Sequence, residues 1–73
     1  MSSKRDKFKE YSNSLIEMII NEYIHDKLHR TVLKMWLLDH VIYDDIAEKI
    51  DRDVSTVKRI ISRNEWTVYK HLK

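Results

Sequence analysis

Apolar positions along the chain fall into four clusters at helical spacing, parted by short polar stretches. In the first, Leu15, Ile16, Met18, Ile19, Ile20, Tyr23 and Ile24 cover well over half of a helical circumference. That arc is wider than packing against one neighbour requires. Ser14 and Glu17 have the capping-box spacing, which predicts a firm helix start near Leu15, with a weaker turn running back to Phe8 and Tyr11. Two readings account for the arc. Either the rest of a small domain wraps it, or part of it, with Ile16, Ile20 and Ile24 as the candidates, buries against a second subunit of a homodimer.

Asp26 is placed to cap a second helix over residues 27–39, whose core face takes Leu28, Val32, Met35 or Trp36, and the Leu37/Leu38 pair. After the short connection "DHVIYDD", a third helix over residues 43–50 turns Ile46, Ala47 and Ile50 inward and sets Asp44 and Asp45 in its first turn, where acids suit the positive end of the dipole. A fourth begins after Asp53 and buries Val57, Ile60 and Ile61. The same face continues through Val68 and Leu72, and Asn64 marks the place where the helix would break. In an unbroken helix Trp66 points away from the apolar stripe, which makes Trp66 and Tyr69 a candidate partner surface. In a folded-back tail Trp66 would be buried.

The pattern thus predicts an all-α fold, a small four-helix domain over residues 14–73 preceded by a basic, flexible arm over residues 1–13. Composition agrees with it. The chain has 73 residues and no Gly, Pro or Cys, so one domain is the ceiling, tight hairpins are disfavoured and disulfides and thiolate metal sites are excluded. With 36% charged and 42% hydrophobic residues, and apolar runs of at most four, the chain reads as globular, without a membrane span or an amino-terminal signal of the secretory kind. That is a cytoplasmic reading.

Charge is unevenly spread. Residues 1–10 hold four basic and two acidic side chains, residues 11–53 five basic and nine acidic, and residues 54–73 five basic and one acidic. Positive ends around a negative middle suit a protein that offers one face to a polyanion. The stretch "YDDIAEKIDRDVSTVKRIISR", residues 43–63, pairs an acidic helix with a basic, hydroxyl-rich one across a short "DRD" joint, and the small Ala47 lets the two cross closely. A helix-turn-helix has this form, the first helix bracing the second across the major groove. Ser55, Thr56 and Arg59 are the candidates for base readout, Arg59 reading guanine best. Arg52, Lys58, Ser62 and Arg63 suit phosphates, as do Lys4 and Arg5 if the arm lies along the duplex.

These residues resemble the helix-turn-helix of sigma-factor region 4 and its relatives, most of all the small ArpU-like transcriptional regulators of bacteriophages and Gram-positive bacteria. Those proteins show an aromatic, acids, Ile-Ala, an aliphatic and then Ser-x-x-Thr-Val-x-Arg. The corresponding residues here are Tyr43, Asp44, Asp45, Ile46, Ala47, Ile50, Ser55, Thr56, Val57, Lys58 and Arg59. "LHRTVLKMWLLDHVIYDDIA" is similar to the helix and turn that precede the unit, so the likeness spans residues 28–72. It implies sequence-specific binding of double-stranded DNA with the fourth helix as reader. At three positions the chain departs from the pattern: Asp51 replaces the usual Gly of the turn, Arg52 the aliphatic after it, and Ile42 the hydroxyl that caps the third helix.

His25 and His29, four apart, can put two ligands on one helix face, but no third accompanies them, and His40 and His71 are isolated. No metal, no cofactor and no enzymatic activity is expected of so short a chain. The expected function is DNA-binding transcription regulation by a dimer. A rival reading keeps the helix pair as a scaffold for binding RNA polymerase, a host defence complex or another protein.

Overall fold

The first helix starts earlier than the Ser14–Glu17 spacing suggests. In the computed structural model, which describes residues 4–73, the Ser12 hydroxyl accepts from the Leu15 N–H at 3.2 Å, and α1 spans Asn13–Tyr23. Ser12 has the extended backbone that a capping residue needs, whereas Ser14 is already helical. The side chains of Ile16, Ile20 and Ile24 are 2%, 0% and 3% exposed. The chain itself covers the Ile side of the arc, so these three residues are corrected from a candidate subunit surface to core, while Met18 and Tyr23 at its edges stay exposed.

Part of the covering comes from the amino-terminal segment, which is not a free arm over its described length. Lys4–Phe8 form a 3-10 helix. Phe8 is buried edge-on to Trp36 and Tyr69, with ring centroids at 6.4 and 5.7 Å. The Arg5 guanidinium donates to the Trp36 carbonyl at 3.0 Å and lies over the Trp36 ring. Burial of one Phe is worth about 1.5–3 kcal/mol, and the Arg5 bond and ring contact add to it in holding the segment down. Residues 1–3 lie outside the described part, as does the Lys4 side chain.

Asp26 caps α2, Lys27–Leu37, accepting from the His29 N–H at 3.1 Å. That hydrogen bond holds the Asp26 carboxyl below its ordinary pKa. The joint between α1 and α2 is closed without glycine: Arg30 donates to the carbonyls of Ile24 and His25, both at 2.9 Å. The first is a carbonyl that the end of α1 leaves unpaired and the second belongs to the connection beyond it. The far end of α2 comes two residues before the expected boundary, where His40 takes a left-handed φ of 58° and the Val41 N–H returns to the Met35 carbonyl. Val32, Leu33, Trp36 and Leu37 enter the core, while Met35 and Leu38 stay half-buried.

The third helix, α3, spans Tyr43–Ile50 and α4 spans Val54–Leu72 without a break. Asn64 does not end α4. Its amide donates to the Ile60 carbonyl at 2.7 Å and meets His29 Nδ1 at 3.1 Å, so its polar group is satisfied between α2 and α4. This long helix is the hub, packed against α1, α2 and α3 alike. Val57, Ile60, Ile61, Val68 and Leu72 form its buried side. Among the described residues no polar or charged residue is buried, so apolar packing holds the four helices together. No helix among them is long and apolar enough to cross a membrane.

Candidate nucleic-acid interface

Between α3 and α4 the chain turns in three residues, Asp51 to Asp53. Asp51 is left-handed, φ 58° and ψ 46°, and its N–H reaches the Glu48 carbonyl at 3.3 Å while the Arg52 N–H reaches the Ala47 carbonyl at 3.0 Å. This pair of bonds is the Schellman arrangement that usually rests on glycine. Asp is one of the few other residues that visit this conformation, at a cost. Ile42 at the start of α3 makes no side-chain cap, as the sequence suggests. Ala47 is buried on α3, which packs against α4 and α2.

At the start of α4, Asp53 holds the N-cap position, but its side chain makes no capping bond to a backbone N–H and instead accepts the Thr56 hydroxyl. That bond, helped by the nearby charge of Arg59, lowers the pKa of Asp53. A carboxylate therefore already occupies the helix N-terminus. Any anion met by this helix falls to the basic side chains farther along it.

The sequence candidates separate into four groups. Ser55, Arg59, Ser62 and Arg63 are exposed on the outward side of α4, spaced so that one surface presents all four. Thr56 is half-buried with its hydroxyl engaged by Asp53, and Lys58 is exposed with its ammonium 5.7 Å from the centre of the Tyr43 ring, between α4 and α3. Arg52 is exposed in the turn. Arg5 is a correction: its guanidinium is spent on the end of α2, although it belongs to a continuous row in which Arg5 covers Trp36, Trp36 stacks on Tyr43 at 6.3 Å, and Tyr43 meets Lys58.

Trp66 is 53% exposed and stands on the outward side of α4 in line with Arg59. Tyr69 is half-buried against Phe8, with Trp66 at 6.1 Å, so only part of it faces solvent. Two further cations share this side and were not singled out from the sequence, Lys70 and Lys73, the latter 5.1 Å from the ring centres of both Trp66 and Tyr69. Their signal was the helical spacing from Arg59. It was legible only once α4 was known to run through Asn64.

The acid of this segment, Glu65, is turned inward, its side chain 14% exposed and 3.9 Å from the Lys7 ammonium. The outward side of α4 therefore carries cations, hydroxyls and one indole, and no carboxylate beyond Asp53. Among the described residues no group of three His, Cys, Asp or Glu is placed to hold a metal ion. No family model matches the chain, and neither a curated protein nor a solved structure matches it. What the site can do follows from its own residues.

Proposed function

We propose that the chain binds double-stranded DNA in a sequence-dependent manner, using α3 and α4 as a helix-turn-helix, and that it regulates transcription in a bacterium or its phage. The observation that carries this reading is the acid-free outward side of α4, with Ser55, Arg59, Ser62 and Arg63 exposed on a helix whose opposite side is anchored by all three other helices. Arg59 is assigned to base edges and Ser55 beside it, while Arg52, Lys58 and Arg63 neutralise phosphates. The Thr56 hydroxyl retains acceptor capacity while donating to Asp53, which leaves it a secondary reader. One copy presents one reading helix. Two copies on a palindromic site would double the contacts.

The test is selection of bound sequences from a pool of short duplexes at two salt concentrations. An enriched site whose affinity falls steeply with salt is the expected result, with palindromy reporting a dimer. Arg59→Ala should relax preference at one base pair by about 1–3 kcal/mol, and Lys58→Ala should weaken all sequences alike and reduce the salt slope by about 1. Absence of enrichment would refute the reading.

A second reading is favoured by the exposed Ile42 and Trp66 and the acidic surface of α3: a scaffold that grips another protein. It loses Ile16, Ile20 and Ile24 of the α1 arc, which are buried. Tight, salt-insensitive binding to a protein partner together with weak, unselective DNA binding would decide for it.

A further inference from the structure

The outward side of α4 does not stop at Arg63. In 19 residues α4 extends well past the turns assigned to base readout, and at 1.5 Å per residue it is about 28 Å long. A B-DNA major groove is only about 12 Å wide. A helix of this length with its first turns at base edges must carry its last turns out over the flanking backbone. Those last turns hold Trp66 and Lys70, and Lys73 follows as the C-cap, all three exposed. They lie on the same side as Arg59, about 10 Å, 16 Å and 21 Å along the axis from it.

We infer that Trp66, Lys70 and Lys73 form a second contact with the duplex, a clamp on the sugar–phosphate backbone beside the groove that Arg59 reads. The inference rests on the proposed DNA binding and extends it to the half of α4 that would otherwise face solvent. Charge complementarity selects the occupant. The patch holds two cations, and the neighbouring Glu65 turns away toward Lys7. Lys73 is held over the Trp66 and Tyr69 rings, so its ammonium is positioned before any ligand arrives. The indole supplies an apolar plate for deoxyribose and an N–H that donates to a phosphate oxygen. The same end-of-helix contact with the backbone is made by long reading helices of the homeodomain kind.

The experiment compares the parent chain with the double variant K70Q/K73Q and with Trp66→Phe on the selected duplex, over a series of salt concentrations, following tryptophan emission. All three positions are exposed, and unchanged helical circular dichroism would confirm folding. The double variant is expected to make the slope of log affinity against log salt shallower by about 2 while leaving the selected sequence the same. The parent's emission should change on adding duplex and Trp66→Phe should abolish that change, because Trp36 is 2% exposed and remote from solvent. An unchanged slope and an unchanged emission, in a protein whose sequence preference still depends on Arg59, would overturn the clamp and leave the proposed function standing. Failure of the parent to bind any duplex would overturn both.

Discussion

Arg5 donates to the carbonyl of Trp36 at 3.0 Å and lays its guanidinium over the same residue's indole. One side chain thereby closes the end of α2, whose last carbonyls have no partner within the helix, and fastens the amino-terminal segment to it. Phe8, one turn later, is buried between Trp36 and Tyr69 and joins this segment to α4.

The segment should therefore behave as part of the fold. Arg5→Ala is expected to cost about 1 kcal/mol through the lost hydrogen bond, and Phe8→Ala about 3–5 kcal/mol through the cavity it leaves. In a domain this small the second loss approaches the whole stability. Urea denaturation measures both. A Phe8→Ala variant as stable as the parent would mean that the segment is a free arm after all.

The turn between α3 and α4 stores strain at Asp51, whose φ of 58° glycine adopts without a steric penalty. Asp51→Gly is expected to raise stability by about 0.5–1 kcal/mol, the relief in the folded state being partly offset by the freer unfolded chain. Asp51→Val should be destabilising, since a β-branched residue fits this region poorly. Equal midpoints for the parent and both variants would contradict the left-handed assignment.

Acid sensitivity follows from Asp26 and Asp53, which are both held below their ordinary pKa, Asp26 chiefly by the His29 N–H and Asp53 chiefly by the Thr56 hydroxyl. A carboxyl with a lowered folded pKa stabilises above its unfolded value and loses that contribution as pH falls through the folded value. The loss belongs below about pH 4. Asn caps α2 as well as Asp26 does and at position 53 still offers Thr56 an acceptor, but it does not titrate in this range. The double variant Asp26→Asn, Asp53→Asn should match the parent near neutrality and show a flatter decline below about pH 4 in thermal unfolding.

The helices themselves were legible in the sequence because helix formation is local: spacings of three and four residues and the Asp26 cap of α2 act within one turn, while Asp53 marks the start of α4 by position and bonds the Thr56 hydroxyl instead of a backbone N–H. The inward positions of α4 and the uncapped start of α3 could be read in the same way. Ser12 was missed in favour of Ser14, since both are hydroxyls within a turn of the first apolar residue and only backbone geometry separates them.

The candidate site was legible as a set of residue types and illegible as a set of partners. Ser55, Arg59, Ser62 and Arg63 are exposed where periodicity puts them, but nothing near Thr56, Lys58 or Arg5 in the chain states that a carboxylate, a Tyr43 ring and a helix end would engage them. Sequence by itself determined four helices, their buried stripes and a basic last helix. Tertiary structure decided that Ile16, Ile20 and Ile24 of the α1 arc are covered by their own chain, that Phe8 joins the core with Arg5 at its edge, and that Trp66, Lys70 and Lys73 share a side with Arg59. The reason is physical: a helical period fixes which residues share a face, whereas what covers that face depends on segments remote in sequence, and whether one face runs on past Asn64 depends on His29 and Ile60 satisfying its amide.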